Sequence, residues 1–391
     1  MTACKTDIVI VGAGPAGSTA AYILGKKGFH VILIDKQTFP RPKLCGGCLT
    51  AKTMRALDRI FHESEETLWN HHVLDFQSNR FEIRFKTQPR IDTLSPLPFY
   101  FVDRTIYDQF LLQKVKNVGV NVIEGEKVIA VEGEQTNNRL TTSGGRRIEA
   151  TYVIGADGVN SVVRTSLFNR NPHSPNHRLW KRNLATTVEI ALPKAGNLFA
   201  VPDVPLLVFG YVHYGYGWIF PNKEKIILGM GGLNRKNRKN KNIVHAFKAM
   251  LSDYRFPLDA ASVRGHGLPS GNYLLRPVNG TTLLVGDAAG WVDPMLGEGI
   301  YHAHRTGELA AQAISDAMHT PMDIESHYSA LLHRQLLPEL VYAHRLRPFL
   351  YNPLHHAMDY SLVKFASPRF GTLIDVVHGN RSYKWFRQKR L

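Results

Sequence analysis

Three glycines near the start of the chain, Gly12-x-Gly14-x-x-Gly17, carry the first sign of chemistry. This spacing gives a tight turn, a backbone that can approach a pyrophosphate, and close packing of a helix on a strand. The free N–H groups and partial positive charge at the helix start then face the phosphates. Asp35, 18 residues past Gly17, is placed to accept hydrogen bonds from a ribose diol. Two more glycine segments follow: Gly155-Ala-Asp157-Gly158-x-x-Ser161-x-x-Arg164, and Gly286-Asp287-Ala-Ala-Gly290 with Pro294 and Gly297-Glu-Gly299-Ile300. An acid at a strand end before a helix can bind a ribityl hydroxyl, and glycines beyond it let backbone N–H groups face a flavin ring. Cys45-Gly-Gly-Cys48 is a lone C-x-x-C pair, so it lacks the second half of a zinc site. Cys45 could line a redox site or donate a proton, and the pair could act as a dithiol shuttle.

The elements that must position these groups read clearly at the start. Asp7–Val11 is a buried parallel strand, Ser18–Lys27 an Ala-rich helix, and His30–Asp35 a second strand. Helices are expected at Arg104–Lys116, Ile243–Tyr254 and Ile300–His319. Strand-like, charged Phe76–Arg90 and Pro-punctuated Thr93–Val102 look like an insertion. Val120–Glu134 and Arg139–Ile154 read as strands and hairpins, the latter turning at Gly144-Gly145. Strands are expected at Leu184–Ile190, Leu206–His213, Gly217–Pro221, Lys225–Leu233 and Thr282–Val285. From Ile324 onward the chain reads as helical, punctuated by Pro338, Pro348, Pro353 and Pro368, and Arg235–Lys241 as a basic loop. The fold expected is α/β with an α+β insertion. A discontinuous Rossmann-type domain (1–75, 100–165, 273–320) carries an antiparallel-sheet substrate domain (76–99, 166–272) and a C-terminal helical region (321–391).

The three glycine motifs in this order resemble the flavoprotein class built like para-hydroxybenzoate hydroxylase, over residues 5–315. Within that class, three segments are similar to the geranylgeranyl reductase family: Lys43-Leu-Cys45-Gly46-Gly47, Tyr216-Gly-Trp218-Ile-Phe220-Pro221, and Gly286 to Ile300. Val102-Asp103-Arg104 with Asp108 adds to the likeness. The resemblance implies FAD held at Gly12, Gly14, Ala16, Gly17, Asp35, Lys36, Cys45, Gly46, Cys48, Arg104, Asp157, Asp287, Gly297, Gly299 and Ile300, and by the backbone of Val128. It implies catalytic roles for Cys45, Tyr216 and Trp218. The family usually has a small residue where Cys48 stands, which leaves that thiol's role open.

The activity implied is reduction of isolated double bonds in geranylgeranyl chains of a lipid, quinone or pigment precursor. Such a bond needs a hydride on one carbon and a proton on the other, away from water. Phe99, Tyr100, Phe101, Leu206, Leu207, Phe209, Tyr211, Tyr214, Tyr216, Trp218 and Phe220 could wall a tunnel or fill a sheet core. The alternative on this scaffold is an FAD-dependent monooxygenase or halogenase, since Tyr216-x-Trp218-x-Phe220-Pro221 is partly similar to a Trp-x-Trp-x-Ile-Pro pattern. A non-enzymatic prenyl-binding chaperone would not need so complete a flavin site.

Composition narrows the setting. The 391 residues are 44% hydrophobic and 20% charged, a globular balance that excludes wholesale disorder. Lys and Arg exceed Asp and Glu by +16, which favours an anionic partner: a membrane surface or an acidic electron carrier. No nucleic-acid motif accompanies the charge, so nucleic acid is not expected. Basic and aromatic residues from Tyr328 to Ile374, then Arg381, Tyr383, Lys384, Trp385, Phe386, Arg387, Lys389 and Arg390, suit an anionic bilayer. Three cysteines and no spanning segment fit a cytoplasmic protein, peripheral on the inner face of the cell membrane. No second dinucleotide motif marks the electron source, which is NAD(P)H or a reduced carrier protein. The 18 histidines lack ligand spacing, and no metal is expected.

Overall fold

The computed structural model describes residues 4–134, 137–167, 180, 183–195, 202, 204–233, 242–257, 263–355 and 371–385. Strand β1 (Cys4–Val11), helix α1 (Pro15–Lys26) and strand β2 (Val31–Ile34) form the opening unit. β1 ends in fully buried Ile8, Val9 and Ile10, as a strand covered on both faces should. Pro15 opens α1, where its missing N–H would have had no intrahelical partner.

β1 sits at the centre of a parallel sheet, between β2 and the strand Arg147–Gly155. Asn121–Ile123 extends the sheet beyond β2, and Thr282–Leu284 extends it beyond Arg147–Gly155. Val120–Glu134, read from the sequence as strands and hairpins, holds two strands in different pairings. Asn121–Ile123 joins the parallel sheet, whereas Val128–Glu134 turns back in an antiparallel pair with Asn137–Thr142.

The second sheet runs from Arg264–Pro269 through Leu184–Pro193, Lys225–Leu233, Gly215–Pro221, Leu206–Phe209, Phe76–Phe85 and Gln88–Phe101 to Cys48–Leu49. Phe76–Arg90 and Thr93–Val102, read from the sequence as an insertion, form one long hairpin turning between Phe85 and Gln88. The sheet is antiparallel except where Leu206–Phe209 runs parallel to Phe76–Phe85. Gly215–Pro221 alternates strictly, so Tyr216, Trp218 and Phe220 share one face while buried Ile219 points to the other.

The helix Arg104–Asn117 joins the two sheets. Asp103 caps it, accepting from the Thr105 N–H at 2.8 Å, and also pairs with Lys225 of the second sheet. Ile300–His319 forms the helix read from the sequence. Its buried His304 lies between the hydroxyls of Thr19 and Tyr107, each at 2.7 Å, and ties three helices together. Burial pushes the His304 imidazole down to about 3, so this histidine is neutral.

The tail departs from the expected punctuation. Leu337–His355 is one helix containing Pro338, Pro348 and Pro353. Pro338 falls in its first turn, where the ring is tolerated. The Arg235–Lys241 loop, Pro368 and the residues from 386 onward lie outside the described residues.

Candidate functional site

The glycine turn places its backbone against the next sheet strand. Gly12 has φ +102°, and a Cβ there would stand 2.4 Å from the Ala156 carbonyl oxygen. Gly17 is tighter, because a Cβ would come within 1.8 Å of the Gly12 carbonyl oxygen. Gly17 is thus the packing glycine of α1 and, unlike the other expected FAD residues, does not line the cavity. Asp35 Oδ2 accepts from the Ala13 N–H at 2.7 Å, which locks strand β2 to the turn.

From this turn a single cavity of about 760 Å³ extends to the second sheet. Gly12, Gly14, Ala16, Asp35, Lys36 and Val128 line its first end. Cys45, Gly46, Cys48, Arg104, Asp157, Asp287, Gly297, Gly299 and Ile300 line its middle. Tyr216 and Trp218 line the side formed by the second sheet, with Phe81, Ile83 and Phe99 beyond them.

The residues of the first end and the middle suit FAD. Asp157 Oδ2 accepts from the Val162 N–H at 2.6 Å, while its buried Oδ1 has no hydrogen-bond partner and is available to a ligand. Asp287 is half-buried at the cavity, and desolvation raises its carboxyl against the opposing pull of Lys43 and Arg104. Arg41, which the sequence did not mark, lies 4.0 Å from where a Gly14 Cβ would stand, at the phosphate turn. Its Nη2 is also 3.2 Å from Asp108, which Arg104 grips through two 2.8 Å hydrogen bonds. Two guanidinium groups on one buried carboxylate leave net positive charge beside the cavity, as a bound pyrophosphate requires.

The loop 41–47 crosses between the sheets. Lys43 Nζ lies 2.6 Å from His266 Nε2, and burial lowers Lys43 to about 8 and His266 to about 4. The neutral imidazole therefore accepts from the ammonium at neutral pH. The Cys45 N–H donates to Glu189 Oε1 at 3.1 Å, and the Cys45 sulfur accepts from the Gly47 N–H at 3.4 Å beside Arg104. Gly46 has no room for a side chain: a Cβ would stand 2.9 Å from the Phe220 ring and 3.3 Å from Trp218 Nε1.

Cys45 and Cys48 are both free thiols. Burial pushes the Cys48 thiol well above its ordinary range, and Glu298 pushes it further. A thiol held protonated is a poor attacking group. Cys48→Ser is accordingly expected to leave reoxidation of the reduced flavin by substrate unchanged in stopped-flow absorbance. A loss of tenfold or more would restore the dithiol shuttle.

Tyr216 donates its hydroxyl proton to the Leu296 carbonyl, and burial raises that hydroxyl further. Its ring faces the cavity while its proton anchors the loop before Gly297. Of the aromatic set, Phe99, Phe101, Leu207, Tyr214, Tyr216, Trp218 and Phe220 line the cavity. Tyr100, Leu206, Phe209 and Tyr211 do not; Tyr100 binds Glu65 at 2.5 Å and Tyr211 binds Asp253 at 2.6 Å. Those four belong to the sheet and its core.

Glu189 and Glu298 are wall residues that the sequence reading missed. Glu298 pairs with Lys52 at 2.5 Å and accepts from Thr50 at 2.8 Å. Glu189 did leave a signal, a lone acid inside the apolar run Leu184–Ile190. Burial raises its carboxyl to about 7, opposed by the Cys45 N–H, Trp218, Arg104 and Lys225. A raised carboxyl holds its proton more tightly in the folded state. Its contribution therefore favours the fold at low pH and is lost as pH rises through about 7.

A model of the FAD binding domain matches residues 5–179. This chain is an FAD-binding flavoprotein. The flavoprotein is 29% identical over 323 residues to a menaquinone reductase of Mycobacterium tuberculosis, covering 79% of this chain and 76% of that one. It is 25% identical to a digeranylgeranylglycerophospholipid reductase of Methanococcus aeolicus, covering 90% of both chains. The fold matches a geranylgeranyl bacteriochlorophyll reductase-like structure from Thermoplasma acidophilum with a TM-score of 0.75 and 19% identity, over 97% of this chain and 92% of the other. Among the described residues of the flavoprotein, no helix is long and apolar enough to cross a membrane.

Proposed function

We propose that this flavoprotein reduces carbon–carbon double bonds of an isoprenoid chain borne by a lipid, quinone or pigment precursor. The observation that carries the reading is the shape of the cavity. One continuous space joins the glycine turn of Gly12 to an apolar compartment formed by Phe81, Ile83, Phe99, Leu268, Tyr351 and Ile374. A polar small substrate would gain little from that compartment, whereas a hydrocarbon chain gains about 25 cal/mol for each Å² it removes from water. The names of the two similar reductases, one for a quinone and one for a geranylgeranyl lipid, support the same class.

Bound FAD supplies the two-electron reductant. The chain's own residues do the rest. The Gly12–Ala16 turn, Asp35 and Arg41 hold the nucleotide end, and Asp157, Asp287, Gly299 and Ile300 hold the flavin end. Tyr216, Trp218 and Phe220 exclude water from the side formed by the second sheet. The Cys45 thiol holds the proton that completes saturation.

Electrons come from NAD(P)H or from an acidic carrier drawn by the +16 charge. The same charge favours residence on an anionic membrane surface. Tyr383 and Arg347 do not contribute to that surface, because both are buried, Tyr383 on Asp293 at 3.0 Å and Arg347 in the cavity wall.

Mass spectrometry of lipids and quinones from a host expressing the protein tests the reading. The expected result is a series of prenyl products each heavier by two hydrogens per saturated bond. Hydroxylated or halogenated products, with peroxide released by the reduced enzyme, would replace it with the oxygen-activating alternative.

A further inference from the structure

Glu189 stands where three strands and the 41–47 loop meet. Its register partners are Gly229 on one side and Arg264 on the other. At Gly229 a Cβ would fall 2.2 Å from the Trp218 ring, so that ring lies flat over the neighbouring strand. Glu189 is 7% exposed, and Oε1 accepts from the Cys45 N–H at 3.1 Å. Oε2 and the Trp218 indole N–H are both buried without a well-formed hydrogen bond, although the indole lies close enough to favour the ionised carboxyl. One side chain therefore holds the loop that carries Cys45 and faces the indole that packs on Gly46.

We propose that Glu189 is a positioning residue for substrate reduction: its carboxylate clamps the Cys45–Gly47 loop beneath Trp218, and its protonation releases the clamp. The inference rests on the prenyl-reduction reading for its consequence in turnover, but the clamp itself is a property of the protein alone. The charged and titrating groups around the carboxyl are Cys45 and Lys43 on the loop, Arg104 on its helix, and Lys225, Arg264 and His266 on the flanking strands. His266, lowered to about 4, is neutral over the relevant range, Lys43 loses its proton only near 8, and Arg104 stays charged. Glu189, raised to about 7, is the member that changes charge near neutral pH. Ionised, it accepts from the Cys45 N–H as a charge-assisted acceptor. Protonated, it loses that advantage, a difference that corresponds to about tenfold in loop opening.

Glu189→Gln mimics the released state and Glu189→Asp keeps the charge. The decisive measurement is the rate of Cys45 alkylation by iodoacetamide in the flavin-free full chain, followed by peptide mass spectrometry from pH 5.5 to 8.5. The wild-type and Glu189→Gln proteins are expected to react at similar rates at pH 5.5. At pH 8.5 the wild type is expected to be about tenfold slower than Glu189→Gln, with Glu189→Asp following the wild type. A wild-type to Gln ratio that stays constant with pH overturns the clamp. In FAD-loaded enzyme, the limb of the turnover profile near pH 7 is expected to vanish in Glu189→Gln and to persist in Glu189→Asp; a limb retained in Gln also overturns the proposal. If no prenyl substrate turns over while the alkylation ratio changes as expected, the clamp stands and the assigned reaction falls.

Discussion

Gly17→Ala is expected to weaken FAD binding by on the order of a hundredfold, about 2.7 kcal/mol. The methyl group would meet the Gly12 carbonyl oxygen at 1.8 Å, and this neighbour is backbone that cannot rotate away. Relief requires α1 to lift from the turn, which costs roughly 1–3 kcal/mol as overpacking. The lift also carries the helix N-terminus and its free N–H groups away from the phosphates they must meet. Titration of the apoprotein with FAD, read by quenching of flavin fluorescence, measures the loss. A thermal melt of the same preparation separates it from unfolding. Wild-type affinity in Gly17→Ala would show that the turn does not hold the pyrophosphate.

Arg104→Met is expected to cost about 3 kcal/mol of stability, because it leaves a buried carboxylate with half its partners. Asp108 is fully buried, bound by Arg104 through both oxygens and by Arg41 at 3.2 Å. Arg41 alone retains some compensation, which keeps the loss at the lower end of the 3–5 kcal/mol typical of a broken buried pair. The double variant Arg104→Met, Asp108→Leu removes both charges and is expected to recover part of the shift in urea midpoint. A midpoint unchanged in the single variant would mean that Arg41 and solvent suffice for Asp108.

The opening β1–α1–β2 unit was legible because everything that defines it is local: a β-branched run, three glycines, an Ala-rich helix and an acid. The Gly286–Ile300 segment was legible for the same reason. Ends of elements were less so; the expected Leu206–His213 strand stops at Phe209, after which the backbone turns through Gly210 at φ +97°. What composition and spacing could not show is pairing over long separations. Glu189 meets Cys45 across 144 residues, and Lys43 meets His266 across 223. Arg41 looks like any surface arginine until the helix Arg104–Asn117 brings Asp108 beneath it. The aromatic stripe was ambiguous in sequence because one strand presents two faces, and only the packed sheets divide wall from filling. Pro348 and Pro353, expected to punctuate the tail, lie inside one helix, Leu337–His355.

The far end of the hydrocarbon compartment is closed by Leu373, Ile374 and Val377, on the helix spanning 371–377. Ribosomal synthesis delivers these side chains long after the glycine turn that would grip the nucleotide. Pigment retention and an intact greasy chamber are consequently separable properties: a prematurely terminated product can be yellow and still have no floor for a lipid to rest on.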